Sequence, residues 1–395
     1  MKVRSQDWWE RVVMMEFTDT DWRENFRMSR QSFAKLCGMM ERVMEPSVVT
    51  IRAPVPTAMR VAMVLYKLAS CAECRLIANQ FGVHKSTVKK MVYLFCHGMV
   101  DSVIKTLIRF SESRLNVNYT MYVGYTAVCI LFLFFLLFII GCVDGSHIPC
   151  LPPSDGYRDF INRKGWPSYV LQGVCDDKYC FWSVSCKMPG SAHDANALRQ
   201  SNLFNNAQSF PKRAVQIEGQ DVDFFLLGDP AYPLMPWLMK GYLQSPRLTP
   251  QEESFYVYLS SARTSIEIAF GRLKSRFRVL LKRSDFHFTF TPYAVATCCA
   301  LHNFCEMEKE YVNPRWAEEA TSGERLFPQP VSQVNRADNS AASAIRRALT
   351  DYLAARVPLR KIVCMSTPVL GFTFGGTAGI VVARLESYGV GEHPT

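Results

Sequence analysis

No basic, apolar and small-residue leader opens this chain, and its 14 cysteines keep no regular spacing. A secreted disulfide scaffold is therefore not expected, and the chain suits a reducing compartment. No internal repeat is visible. The Gly-rich stretch TPVLGFTFGGTAGIVVARL is not followed by GK[ST], so it is no nucleotide-binding loop. Acids are outnumbered, with 45 Lys and Arg against 35 Asp and Glu, a net charge of +10. That excess favours a polyanionic partner, nucleic acid or an anionic membrane surface, without choosing between them. What is present is a chain of 395 residues, 49% hydrophobic and 20% charged. This is enough for a buried core and for about two to three ordinary domains.

The positive charge is clustered. Between Arg52 and Arg114 ten basic residues, among them Arg60, Lys67, Lys85, Lys89 and Lys90, face only Glu73, Asp101 and Glu112. A second cluster holds Arg263, Arg272, Lys274, Arg276, Arg278, Lys282 and Arg283 with Glu267 inside it. Two patches suit a grip on a long polyanion at two places; two solvated helix faces fit equally well.

Residues 1–114 read as helical, with apolar positions such as Phe33, Leu36, Met40 and Val61, Val64, Leu65, Leu68 three and four apart. Short β-rich runs follow at Ile139–Val143, Tyr169–Val174, Tyr179–Ser185 and Phe224–Gly228. Helical periodicity returns over Arg263–Leu280 and Tyr293–Glu306. The expected fold is α/β, with a helical region at the N-terminus, a catalytic-sized domain over 140–310 and a polar tail over 311–395. That tail is weakly patterned except for one amphipathic helix, Ala342–Arg356.

Cys74–Tyr93, CRLIANQFGVHKSTVKKMVY, carries the pattern of a helix-turn-helix. Ile77, Phe81, Val83, Val88 and Met91 supply the core, Ala78 a close crossing and Gly82 the turn. The second helix then begins near His84. His84, Lys85, Ser86 and Lys90 would face the major groove or its phosphates. A helical hairpin that packs without touching DNA is the bland alternative.

Three acids stand where chemistry is plausible. Asp144 in IIGCVDGSHI and Asp229 in FFLLGDPAYP each follow an apolar run and are expected at strand ends, where rigid backbone can hold a metal ligand. Glu267 lies beside the apolar stripe Ile266, Phe270, Leu273 and Phe277, on a flank with Arg263, Gly271, Lys274 and Arg278. Singly, each acid has a structural explanation, a turn cap or a salt bridge. Together, hard oxygen donors suit Mg²⁺ or Mn²⁺, and two such ions about 4 Å apart would serve phosphodiester cleavage.

The stretch VDGSHIPCLPPSDGYRDFINRKGWPSYVLQGVCD, then PGSAHDANAL, GDPAYPL, IEIAFGRLKSRFRVL and CCALHNFC, resembles the Harbinger-type transposases and the nucleases derived from them. LYKLASCAECRLIANQFGVHKSTVKK resembles the same family's N-terminal region. The resemblance implies an RNase H-like fold with a DDE metal site, in which Asp144, Asp229 and Glu267 match the family's acids. It implies a divalent-metal nuclease acting on DNA, usually nuclear, in which water attacks the phosphodiester in line and leaves a 3′-hydroxyl. Family members often work with a separate Myb-like DNA-binding protein, and no Myb-type tryptophan repeat occurs in this chain; a homo-oligomer is also open. His193 and Asp194 match the family's His-Asp pair, as supporting ligands, substrate contacts or a loop-ordering hydrogen bond. Arg163 and Lys164 match its NRKG turn and are candidate phosphate contacts, with a surface turn as the alternative.

The resemblance lapses over 115–139. No charge occurs between Arg114 and Asp144, and roughly twenty residues from Tyr122 are almost wholly apolar, long enough to span a bilayer. A membrane anchor, a buried insertion and retained intron sequence all account for it. The third fits best, because a pyrimidine tract would translate into LFLFFLLF and the family pattern resumes at Ile140-Gly141. CAEC at Cys71–Cys74 lacks the second pair a zinc site needs, and Cys298, His302 and Cys305 lack a fourth ligand. The reading is a metal-dependent DNA endonuclease of the nucleus, present also in the cytoplasm. Its rivals are an inactive domesticated DNA-binding protein and a single-span membrane protein.

Overall fold

Apolar residues three and four apart stack the N-terminal residues into helices whose packing a computed structural model shows. It describes residues 5–45, 54–110 and 138–361 apart from 211, 213 and 284. Thr18 and Asp21 form a capping box on Asp19–Phe26 (α1), and Ser29 caps Arg30–Met39 (α2). Thr57–Ser70 (α3) is buried along most of its length. Cys74–Gln80 (α4) and Lys85–Gly98 (α5) form the predicted helix-turn-helix, with Ile77, Phe81, Val83, Val88 and Met91 buried. Gly82 takes a φ of 64° at the turn. A Cβ there would also fall 2.1 Å from the Ser5 carbonyl oxygen, so two demands meet on one glycine. Trp8 and Trp9, on the π-helical segment Trp8–Glu16, lay their rings against Phe81.

The strands Ile139–Pro149 (β1), Ser168–Cys175 (β2) and Phe181–Pro189 (β3) form an antiparallel meander. Val215–Ile217 (β4) and Gln220–Val222 (β5) pair apart from it. Phe225–Gly228 (β6) then lies parallel to β1, and Leu238–Met239 (β7) parallel to β6. The sheet order is β3-β2-β1-β6-β7. Alternation sorts its faces: Cys142, Leu171, Phe181, Phe225 and Leu227 join one core cluster, while Ile140, Val143, Val174 and Leu226 join another. Asp194–Arg199 (α6) adds Leu198 to the second. Pro250–Arg276 (α7) and Thr291–Met307 (α8) cover the first, burying Ile266, Phe270, Leu273 and Leu301. This is a mixed α/β architecture behind a helical N-terminal region, in keeping with an RNase H-like domain.

The two regions share one continuous core. Tyr93 of α5 stacks on Phe290 at 3.7 Å. Fully buried Arg276 donates to the Arg27 carbonyl at 2.6 Å and to the Glu310 carbonyl at 3.2 Å. The Glu310 carboxylate in turn accepts from the Ser29 backbone N–H at 3.0 Å at the start of α2.

Several expectations need correction. Asp144 does not end its strand: β1 runs on to Pro149, because β2 keeps pairing with it after β6 has stopped at Gly228. Residues 311–361 are more than a polar tail with one helix. Pro314–Leu326 (α9) precedes Ser340–Arg356 (α10), and both pack on α7. The apolar segment 115–137 and the residues after 361 lie outside the described residues. Among the described residues no helix is long and apolar enough to cross a membrane.

Candidate active site

Val143 on β1 stands opposite Gly228 on β6 in parallel register, and the next residue on each chain is an aspartate. Parallel neighbours lie about 4.8 Å apart, so Asp144 and Asp229 emerge side by side. Both continue the alternation of Cys142 and Leu227, on the face that α7 covers. Local backbone holds each carboxylate: Asp144 Oδ1 accepts from the Gly145 N–H at 2.8 Å, and Asp229 Oδ1 from the Ala231 N–H at 2.9 Å.

Asp194 joins them from the N-terminus of α6. His193 caps that helix, its Nδ1 accepting from the Ala195 N–H at 3.2 Å, and so orders the loop. Gly145 makes room, since a Cβ on it would stand 2.7 Å from Asp194 Oδ1. The Ser332 hydroxyl, lining the same cleft, draws both Asp194 and Asp229 down against the effect of burial. Burial pushes Asp144, Asp194 and Asp229 above the ordinary carboxylate range, and neighbouring carboxylates add to the shift.

Glu267 faces this cluster from α7, its side chain 43% exposed. Between it and Asp144 sits Arg263, donating to Asp144 Oδ2 at 2.8 Å and to Glu267 Oε1. Among the described residues no three His, Cys, Asp or Glu side chains already stand as a metal-ligand set. The donors nevertheless fit a hard divalent cation in kind. Three half-buried carboxylates and a fourth at the rim converge around one guanidinium, which bonds two of them, and the neighbouring negative charge adds to burial in raising the three aspartates. Cys71, Cys74, Cys298, His302 and Cys305 show no comparable convergence; His302 Nε2 instead bonds the Tyr179 carbonyl at 2.8 Å.

The acids line a cleft of about 470 Å³ together with Arg163, Lys274, Glu324 and residues 329–332. Sequence reasoning missed that last segment. Gln329 bonds the backbone of His147 on β1 twice, accepting from its N–H at 2.8 Å and donating to its carbonyl at 3.1 Å. Trp166 donates to the Pro328 carbonyl at 3.1 Å and Arg163 to the Val331 carbonyl at 3.3 Å. No periodicity in QPVSQVN signals this placement.

The basic residues divide. Lys85 and Lys90 are exposed on α5, while His84 Nδ1 and the Ser86 hydroxyl, 2.7 Å apart, cap that helix. Lys164 is exposed on its turn. The cluster around Glu267 is largely internal: Lys274 pairs with Glu324 at 2.7 Å, Arg272 with Glu306 at 2.6 Å, and Arg276 is buried. Arg278 lies beyond the end of α7 and pairs with Glu319 at 3.1 Å, so it does not share the flank of Glu267. As a second DNA grip this cluster keeps only Lys282 and Arg283 exposed.

Residues 143–303 match the family described as DDE superfamily endonuclease. The Arabidopsis thaliana protein ALP1-like is 26% identical over 392 residues, covering 89% of this chain and 87% of its own. The candidate nuclease HARBI1 of Homo sapiens is 32% identical over 169 residues, covering 42% of this chain and 45% of its own. The protein named antagonist of like heterochromatin protein 1, also from Arabidopsis thaliana, is 25% identical over 75% of this chain and 77% of its own. No solved structure matches.

Proposed function

We propose, for a chain that carries a DDE superfamily endonuclease domain over residues 143–303, that it is a divalent-metal-dependent DNA endonuclease of transposase origin. The observation that carries this is the pairing of Asp144 with Asp229 by strand register, with Asp194 and Glu267 converging on them in one cleft. Asp144, Asp229 and Glu267 would hold the metal, with Asp194 in support. Bound there, Mg²⁺ or Mn²⁺ would supply an activated water and neutralise charge on the phosphodiester. The chain's own part is to fix the carboxylates on rigid strands, to exclude bulk water and to hold the backbone of DNA. Arg163 at the mouth of the cleft and Lys85 and Lys90 on α5 are the cations placed for phosphates. We place the work in the nucleus, where its substrate would be, with a separate Myb-like DNA-binding protein as a candidate partner.

A second reading is a DNA-binding protein that keeps the acids as scaffold. The Arg263 bridge between Asp144 and Glu267 favours it, since it satisfies two of the acids without any metal. A relative named as an antagonist, not as a nuclease, supports it as well. Mn²⁺-dependent nicking of duplex DNA, wild type beside Asp229→Asn with EDTA as control, separates the two. Nicking that requires both the metal and Asp229 supports the endonuclease; DNA binding without nicking by folded protein supports the second reading.

A further inference from the structure

The sequence pattern puts Arg263 on the flank of Glu267, among the cations that would bind DNA. Instead its side chain is 16% exposed and reaches acids on two separate elements, Asp144 of β1 and Glu267 of its own helix. A helix-stabilising surface pair does not explain this. In such pairs the acid is better placed N-terminal to the base, and here the order is reversed. A surface pair would also leave Asp144 alone, whereas Nη1 donates to its Oδ2 at 2.8 Å while the Gly145 N–H occupies Oδ1.

The other nearby cations are engaged elsewhere. Lys274 Nζ is held by Glu324 at 2.7 Å, and Arg163 donates to a backbone carbonyl. Among the described residues Arg263 is the cation bonded directly to Asp144 and Glu267. It occupies the space between two carboxylates that a divalent ion would need to share. A guanidinium and a divalent cation a few ångströms apart repel one another strongly in a site this buried.

We infer that Arg263 is the resident counter-ion of the carboxylate cluster, and that a divalent ion is held by Asp144 and Glu267 only as this guanidinium withdraws. Arg263 is then a positioning residue that sets metal affinity. In the absence of metal it keeps Asp144 and Glu267 together, and it weakens the binding of any ion that enters. This inference rests on the metal-dependent reading of the same site.

The test is calorimetric titration of Mn²⁺ into the metal-free full-length protein, with melting temperatures in EDTA and in Mn²⁺. The wild type is compared with Arg263→Gln, Arg263→Lys and Asp229→Asn. Arg263→Gln is expected to bind Mn²⁺ about tenfold or more tightly than wild type. Its melting temperature should fall in EDTA and recover on adding the metal. Arg263→Lys, which keeps the charge but cannot bridge both acids, should fall between them, and it carries the comparison if Arg263→Gln does not fold. Asp229-dependent Mn²⁺ binding that is no tighter in either Arg263 variant overturns the inference and leaves the metal reading standing. The absence of Asp229-dependent Mn²⁺ binding in every variant overturns the metal reading itself, and the inference with it.

Discussion

Gly145 and Asp194 are in contact by design of the backbone: a Cβ on Gly145 would lie 2.7 Å from the Asp194 carboxylate oxygen. The glycine opens no turn, since it sits within β1 paired with Gln172. Its missing side chain admits a third half-buried carboxylate beside Asp144 and Asp229. Gly145→Ala should therefore displace a functional group more than it disturbs the fold. Overpacking of this kind costs about 1–3 kcal/mol, so the variant is expected to fold with a modestly lower melting temperature. Mn²⁺ affinity should fall clearly. Unchanged Mn²⁺ binding would mean that Asp194 takes no part in the site.

Asp194 itself predicts a trade between stability and function. Burial, with the charge of Asp144, raises its carboxyl above the ordinary value. An acid whose folded pKa is raised destabilises the fold once it ionises, so the penalty is present at neutral pH and vanishes as the carboxyl is protonated in acid. Asp194→Asn in EDTA should be more stable than wild type at pH 7, by on the order of 1 kcal/mol. The difference should close as pH falls. The same variant should lose stabilisation by Mn²⁺. Denaturant midpoints measured with and without metal at several pH values check both halves.

His302 gives the opposite slope. It is fully buried, and burial lowers its pKa from 6.5 to about 4, with Glu306 only partly opposing. A histidine kept neutral in the fold costs nothing above pH 6.5. Below it the unfolded chain takes up a proton that the folded chain refuses, and stability is lost down to about pH 4. The loss amounts to about 3 kcal/mol for this one group. His302→Gln, whose amide can still donate to the Tyr179 carbonyl, should flatten stability against pH across that window by one proton. His147, also lowered to about 4 by burial, should leave a similar slope behind. A His302→Gln profile parallel to wild type would contradict the assignment.

What was legible in the sequence was what short-range pattern determines. Five apolar positions and one glycine specify the helix-turn-helix within Cys74–Tyr93, and Pro230 marks the end of β6 just before Asp229. The extent of β1 was not legible, because it depends on pairing with β2, from Cys142↔Cys175 to Pro149↔Ser168. The partners of the basic residues around Glu267 were hidden for a similar reason. Glu306, Glu319 and Glu324 come from α8 and α9, and only tertiary packing brings them to α7 and the turn after it. Charge clustering in sequence thus overstated the exposed positive surface there and was sounder on α5.

That difference has a measurable consequence for DNA binding. Lys85 and Lys90 are exposed on α5, whereas Lys274 is buried against Glu324. Each phosphate contact releases counter-ions, so Lys85→Ala and Lys90→Ala should weaken binding across all sequences. Each should also reduce the slope of log K against log salt by about 1. Lys274→Met should leave that slope unchanged. Salt-dependent binding isotherms distinguish these outcomes, and an effect of Lys274 alone would move the DNA path from α5 to the cleft.

The segment that carries Gln329, Val331 and Ser332 lines the cleft from outside the sheet and helices. Between Phe327 and Ala342 no residue is fully buried, so polar contacts carry most of the hold on the segment. Gln329 bonds the His147 backbone twice, Asn335 N–H donates to the Pro230 carbonyl at 2.9 Å, and Lys240 donates to the Asn335 carbonyl at 2.6 Å. Elements with few apolar anchors open locally at low cost. Gln329→Ala removes both bonds to His147 and leaves its N–H unpaired, a local loss of about 1–3 kcal/mol. Amide exchange at His147 and Asn335 should accelerate by about tenfold or more, while the melting temperature stays near wild type because the core beneath is untouched. Unchanged exchange at both amides would show that the remaining contacts hold the segment without Gln329, and a matching fall in melting temperature would show that it unfolds only with the whole domain.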